Sequence, residues 1–199
     1  MDAAELAAEE PLEEEDGLDF APGYVSSITG ATALTVQPAT TDEFVLSDAG
    51  TLKRVDIKHM SNTPAFLAKP AIAQSSRTDN TYYEVDYTEV VDSDGCYASG
   101  RFTPAVVGYY QFNASAETVG GDSGWAGYIA LYKNGSIDLS TQSYIDGTAT
   151  RQGVLLVTSG VIYLDADDYI EVYIKMNTQG ATFAIGTEGQ FSAFRLIGV

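Results

Sequence analysis

Three short segments carry residue types that could do chemistry. The first, Gly121-Asp-Ser-Gly124, places a serine hydroxyl in a glycine-rich stretch, as hydrolases with a serine nucleophile do. Such a serine needs a histidine base that is itself held by an acid. The only histidine is His59, which follows Lys58 and is distant from the serine in sequence. We therefore expect a glycine-rich loop here, no catalytic residues, and His59 at the surface.

The other two segments are acidic: Asp92-Ser-Asp-Gly95 and Asp165-Ala-Asp-Asp168. Carboxylate oxygens are the ligands that Ca²⁺ prefers, but neither segment has the spacing of a complete EF-hand loop. Asx turns that cap strand ends explain the same residues. Both interpretations stay open. If calcium binds, the expected ligands are Asp92 and Asp94, and no other cofactor is predicted.

Composition limits the classes of partner. The 199 residues carry a formal net charge of −18, and residues 1–52 contain neither lysine nor arginine. Nucleic-acid binding requires clustered basic residues, so it is not expected. The single cysteine, Cys96, excludes an intrachain disulfide and is predicted to be a small buried side chain. The sequence shows no secretory leader and no long apolar run, which predicts synthesis in a cytoplasm without membrane insertion.

Changes in charge and in the apolar pattern along the chain predict three regions. Residues 1–19 are acidic and are interpreted as either a disordered tail or a docking peptide. Residues 20–77 form an arm with a hairpin of residues 43–47 and 51–57, followed by a linker over residues 65–76. Residues 78–199 form a β domain.

The β domain is predicted to hold ten short strands, which favours a sandwich or jelly roll. Turn signals at Asn134-Gly135, Ser159-Gly160 and Gly189 separate several of them. The candidate strands are Tyr82–Val91, Tyr97–Phe102, Val107–Ala114, Trp125–Lys133, Ser136–Ser140, Gln152–Thr158, Val161–Leu164, Tyr169–Met176, Thr182–Gly186 and Phe191–Ile197.

The strand Tyr169–Met176 alternates most clearly. Its even-numbered residues are apolar, whereas Tyr169, Glu171, Tyr173 and Lys175 occupy the other face. A tyrosine-rich outer face predicts that another copy or a partner covers it. Trp125 is expected in the core or at a subunit contact.

An ordered set of residues resembles the globular-head domain of the complement q-component, in the tumour-necrosis-factor-like superfamily. The matching pieces are Phe102-Thr-Pro104, Gly108-Tyr-Tyr110 with Phe112, Leu131-Tyr-Lys-Asn-Gly135, Asp168-Tyr-Ile-Glu-Val172, and Phe191-Ser-Ala-Phe194. The resemblance covers about 120 residues, a length typical of one domain. It implies an all-β, ten-strand jelly roll that forms a homotrimer around aromatic residues and binds ligands without catalysis.

The resemblance also implies site residues. The predicted trimer-interface or core residues are Tyr110, Phe112, Tyr169, Tyr173, Phe191 and Phe194. Of these, Phe112 and Phe194 are expected to fill the core between the sheets. One position departs from the family pattern, because Asp167 stands where a glycine is usual. We expect either a differently built turn or a positive φ at Asp167.

A second resemblance concerns the arm. Thr40-Thr-Asp-Glu-Phe-Val-Leu-Ser-Asp-Ala-Gly-Thr-Leu-Lys-Arg54 is similar to segments of structural proteins of marine tailed phages. Together the two resemblances imply a virion appendage that residues 1–70 attach to other tail or capsid proteins. Its head would bind a host-surface glycan or protein. The alternatives are a capsid decoration protein and a free trimeric binding protein unrelated to virions.

Overall fold

The computed structural model describes residues 35–36, 38–39, 41–60, 63–120, 125–148 and 153–197. The predicted acidic tail and the Gly121–Gly124 segment lie outside these ranges. Contacts divide the chain into two compact units, Met1–Met60 and Ser61–Val199. Within the described ranges, no helix has the length and apolar character needed to cross a membrane.

Strands dominate the described residues, as the alternating pattern and the β-branched and aromatic content predict. Two 3₁₀ helices cover Ile57–Met60 and Leu139–Thr141. The strands are β1 Glu43–Asp48, β2 Thr51–Asp56, β3 Ala65–Lys69, β4 Gln74–Arg77, β5 Tyr83–Glu84, β6 Thr88–Asp92, β7 Tyr97–Ala98, β8 Arg101–Phe102, β9 Gly108–Val119, β10 Trp125–Lys133, β11 Ser136–Ile137, β12 Ser143–Gly147, β13 Val154–Leu164, β14 Ile170–Asn177 and β15 Phe183–Arg195.

The first unit contains the antiparallel hairpin of β1 and β2, which confirms the predicted hairpin. Ala49 and Gly50 form its turn with φ values of 49° and 85°, as a tight two-residue connection requires. A two-stranded hairpin is marginal by itself in water. Several of its apolar side chains are exposed: Phe44, Val45, Leu46 and Leu52.

The second unit is an antiparallel sandwich of two sheets. The six-stranded sheet has the order β13-β9-β15-β3-β6, and β4 also pairs with β15. The seven-stranded sheet has the order β11-β10-β14-β8-β7, with β12 paired to β10 and β5 paired to β14. The chain crosses repeatedly between the sheets, so most neighbouring strands are not consecutive in the chain: β9 lies between β13 and β15, and β14 lies between β10 and β8. This is the Greek-key connectivity of a jelly roll.

The core between the sheets is built on aromatic rings. The Phe66 ring stacks on Phe102 and meets Phe191 edge-on, each with ring centroids 4.8 Å apart. Cys96 and Trp125 are buried in the same cluster, which confirms a core position for both. Such ring pairs stabilise a core beyond the burial of their area.

The sandwich begins earlier in the chain than predicted. Residues 65–76 are not a linker, because they contain β3 and β4, and both of these strands pair with β15. Phe66 and Ala68 of β3 point into the core and are buried. The predicted boundary between residues 77 and 78 is therefore wrong. The alanine- and serine-rich sequence has a low intrinsic preference for strands. The hydrogen bonds and packing with β15 stabilise the strands in spite of this low preference.

Two glycines predicted as turns lie inside strands, so two pairs of predicted strands are each one continuous strand, β13 and β15. Strand β13 continues through Gly160, where a Cβ would lie 2.8 Å from Thr141 Cγ2. Glycine at this position lets the Leu139–Thr141 helix pack on the strand. Gly189, with φ 134°, lies where the register between β15 and β9 shifts. Glycine serves close approach and bulges as well as turns, which is why the prediction failed.

The turn between β13 and β14 is closed by a side chain. Asp167 does not have a positive φ, so the first of the two expectations for it is the correct one. Asp168 accepts hydrogen bonds from Lys133 Nζ at 2.7 Å, Asn134 Nδ2 at 2.6 Å and the Asp165 amide at 2.9 Å. These donors, Lys133 first, lower the pKa of Asp168 from 3.8 to about 2.

Candidate functional site

Three of the six residues predicted at the interface or core lie inside the sandwich. Tyr110, Phe112 and Phe191 are fully buried, and the Phe112 and Phe191 rings stack at 6.2 Å. The Tyr110 hydroxyl donates to the Val106 carbonyl oxygen at 2.5 Å. Their role is to hold one chain together. The interface alternative is therefore wrong for these three residues.

Phe194 lies on the opposite side of the same sheet. Phe191 and Ala193 point into the core, so the alternation of β15 turns Phe194 outward, where it is 36% exposed. The expectation that Phe194 fills the core is wrong, because the neighbouring residue Ala193 occupies the inward position. It remains available to another chain.

Phe194 belongs to a surface that we call the apolar face, on the outer side of β9, β13 and β15. Its large side chains are each between 36% and 56% exposed: Tyr109, Leu155, Val157, Val161, Tyr163 and Phe194. Tyr163 pairs directly with Tyr109, and Val161 lies in one cross-strand row with Gln111 and Phe194. Monomeric proteins seldom expose so many neighbouring apolar side chains without a partner.

The centre of this surface is polar. Asn113 lies between Ser159 on β13 and Ser192 on β15 in one row of the sheet. All three are at least partly accessible in the described structure. Apolar side chains around hydrogen-bonding groups are typical of a protein interface. The apolar groups provide the buried area, and the polar groups fix how the two partners are aligned.

Strand β13 forms the outer edge of the described six-stranded sheet. A groove of about 280 Å³ runs along this edge, where the sandwich opens toward β12. The groove is lined by Ser143, Tyr144, Ile145, Leu155, Leu156 and Val157. A long edge strand with apolar side chains is prone to pair or pack with another chain. The apolar side chains of β13 therefore reach this edge, where Leu155 and Val157 line the groove.

The outer side of the seven-stranded sheet carries a second surface, which we call the tyrosine ladder. The rings follow one another across the strands: Tyr144 stacks on Tyr128 with centroids 5.6 Å apart, and Tyr132 stacks on Tyr173 at 4.1 Å. Tyr82 meets Tyr132 edge-on at 5.8 Å. Burial raises the pKa of Tyr132 to about 12.

Lys175 joins the two halves of the ladder. Its Nζ lies 4.4 Å from the centroid of the Tyr128 ring and 4.9 Å from that of Tyr82. A cation at such distances is attracted by the electron-rich face of each ring. The tyrosine-rich face predicted from the sequence is thus covered in part by contacts within the chain.

The remaining residues of this face form an ion pair beside the ladder. Glu171 is 1% exposed, and its Oε1 accepts from Arg101 Nε at 2.6 Å. The Arg101 guanidinium also lies over the Tyr169 ring, 4.5 Å from its centroid. Tyr173 therefore lies on the seven-stranded sheet and Tyr169 directly precedes its strand β14, and no described contact brings either residue to the apolar face.

The two candidate calcium ligands make local hydrogen bonds. Asp92 accepts from the Tyr97 amide at 2.7 Å and from the Asp94 amide at 3.3 Å, and Asp94 accepts from Ser93 Oγ at 2.6 Å. This is the geometry of a capped turn. Within the described ranges, no three His, Cys, Asp or Glu residues gather as a metal cluster. The exposed position of His59 is as predicted.

Known proteins add a structural comparison. No protein-family model and no curated protein matches the chain. The globular domain of zebrafish complement 1qA protein is similar, with 18% identity, a TM-score of 0.42, and coverage of 67% of this chain and 98% of that one. Two structures of murine APRIL, at pH 5.0 and pH 8.5, show 14% and 16% identity and TM-scores of 0.46 and 0.42. Each covers 66% of this chain and 98% of the other. At such low identities and TM-scores, the fold assignment rests on the strand order and register.

Most of the apolar face went unpredicted. The sequence does carry a signal for it. Leu155, Val157, Val161 and Tyr163 alternate with the buried apolar residues Leu156, Ile162 and Leu164. The turn assigned to Ser159-Gly160 divided that pattern into two short strands. Read as one strand of eleven residues, β13 has apolar side chains on both faces, which indicates cover on both sides.

Proposed function

We propose that the chain is a non-enzymatic structural protein of a tailed-phage virion. Three copies associate through the apolar face into a jelly-roll head that binds the host surface, and residues 1–60 attach the head to the particle. The observation that carries the proposal is the apolar face, a surface of six large exposed apolar side chains around a polar centre.

The apolar face suits a second copy of the same chain. Its exposed side chains come from three neighbouring strands of a rigid sheet, so burying them orders little additional backbone. In a trimer with threefold symmetry, one part of the apolar face on each copy packs against a different part on the next copy, and this closed arrangement would cover the exposed edge of β13. The resemblance to the complement globular head supports three as the number of copies.

The first unit suits attachment. Its hairpin exposes Phe44 and Leu46 on one face and Val45 on the other. A marginal hairpin with apolar residues on both faces gains most of its stability from a partner, either by strand addition or by intertwining with copies of itself. The similarity of residues 40–54 to phage structural proteins supports a virion component as that partner.

A deletion tests the attachment. Removal of residues 1–60 leaves β3 and the whole sandwich intact, whereas a deletion through residue 70 would remove a core strand. We expect phage particles made with the shortened chain to lack it by mass spectrometry, while the purified variant remains a folded trimer. Normal incorporation of the shortened chain would contradict the proposed arm.

A competition experiment tests the head. Purified trimer added in excess is expected to reduce phage adsorption, because it occupies the same host ligand. If adsorption is unchanged while particles without the protein burst under osmotic shock, the chain is a decoration protein and the host-binding role is wrong.

A further inference from the structure

We propose that Lys175 and the tyrosine ladder form a binding site for a carboxylate-bearing saccharide. The site lies on the outer side of the seven-stranded sheet, opposite the apolar face. The inference names a ligand class for the head described above and rests on that proposed function for its biological setting.

Lys175 carries a positive charge that no described carboxylate neutralises. Its ammonium group has two aromatic rings beside it, but among the described residues no carboxylate forms an ion pair with it. Lys133 and Arg101 on the same sheet are each paired with an acid. A partly buried cation without a counterion favours an anionic ligand group, whose hydrogen bonds to it are charge-assisted.

Lys175 is aligned with two tyrosines across the sheet. Lys175, Tyr128 and Tyr144 form one row across β14, β10 and β12. The row spans about 10 Å at ordinary strand spacing, a length that accommodates a disaccharide. Tyr144 is 65% exposed, and its ring is held against Tyr128. The row offers a cation at one end and an accessible, rigid aromatic surface at the other.

Hydrogen-bonding groups complete the site. Gln142 Nε2 donates to the Tyr82 hydroxyl oxygen at 2.6 Å, which fixes the hydroxyl beside Lys175. The Tyr82 hydroxyl can also donate its own proton, because a phenol is both a donor and an acceptor at neutral pH. Saccharide hydroxyls are both donors and acceptors, so a rigid tyrosine surface suits them. The flat, shallow shape predicts weak binding at each site, and three copies would multiply it.

The test is an oligosaccharide array probed with the purified full chain. The array carries uronate- and sialate-bearing oligosaccharides, each beside its carboxyl-reduced counterpart, and calorimetry then measures the strongest binder. We expect binding to the carboxylated members, with at least about tenfold weaker affinity for the reduced forms, since one charged hydrogen bond is lost. Binding should weaken with added salt.

Three variants locate the site. Lys175→Met keeps the aliphatic stem and should weaken binding at least about tenfold, whereas Lys175→Arg keeps the charge and should retain binding. Lys69→Met makes the same change on the six-stranded sheet and should have no effect. Tyr144→Ala alters an exposed ring and should weaken binding without unfolding the chain.

Two results would overturn the inference. One is an array on which no carboxylated member binds better than its reduced form. The other is unchanged affinity in Lys175→Met, which would leave Lys175 only a structural role in the ladder. Both are measured on purified protein, so they do not depend on whether virions contain the chain.

Discussion

The ring of Tyr163 meets the ring of Tyr109 on the outer side of the six-stranded sheet, with centroids 5.2 Å apart and an interplanar angle of 67°. The two residues are directly opposite each other on β13 and β9. Each ring holds the other in one orientation while leaving part of its surface to solvent. Such a fixed aromatic pair loses little conformational entropy when another chain covers it.

Close packing at Gly160 predicts a rescue experiment. Gly160→Ala should lower the free energy of unfolding by about 1–3 kcal/mol, because the new methyl group meets Thr141 Cγ2. Thr141→Ser removes that methyl but keeps the hydroxyl that accepts from the Leu131 amide. The double variant should recover part of the loss in urea denaturation. Simple addition of the two single effects would contradict this explanation of the glycine.

The ion pair between Arg101 and Glu171 predicts a second non-additive pair. Arg101→Met should destabilise the fold by about 2 kcal/mol, because it leaves a buried carboxylate without its cation. Combining it with Glu171→Gln should cost less than Arg101→Met alone, since a neutral amide needs no counterion. Thermal unfolding of the two variants and the wild type measures this. A double variant less stable than Arg101→Met would contradict the claim that Arg101 stabilises the fold by neutralising the Glu171 carboxylate.

The turn at Asp168 predicts a dependence of stability on pH. Its pKa is 3.8 ordinarily and about 2 in the folded chain. A lowered pKa means that the folded state binds the proton more weakly than the unfolded state, so this contribution is present above pH 4 and lost as the pH falls toward 2. Asp168→Asn should lower the Tm by about 2–4 °C at pH 7. The difference in Tm between the variant and the wild type should disappear near pH 2. A difference in Tm that is the same at both pH values would show that the charge of Asp168 does not stabilise the fold.

Local patterns in the sequence were sufficient for the hairpins and for the class of fold. Asn134 and Gly135 have the positive φ values of a two-residue turn, as the sequence predicted. The alternation in Tyr169–Met176 identified the buried face of β14 correctly. These features depend on residues close together in the chain, where turn chemistry and the strand period act directly.

Features that depend on distant residues were not predictable in the same way. Residues 65–69 form the strand β3 because they pair with β15. Position 160 requires glycine because the Thr141 side chain packs against its backbone. The ladder depends on Tyr82 and Lys175, which are far apart in sequence. Assigning Phe194 to the correct face required the register of the final strand, which only the neighbouring strands fix.

Oligomeric state tests the central claim most directly. Native mass spectrometry of the full chain at micromolar concentration should give a species of three times 21.2 kDa. Leu155→Asp, on the apolar face, should reduce it to the single chain, because burying three carboxylates is costly. Leu139→Asp, which changes an exposed leucine on the Leu139–Thr141 helix, should leave the trimer intact. A monomeric wild type, or a trimer that survives Leu155→Asp, would contradict association through the apolar face.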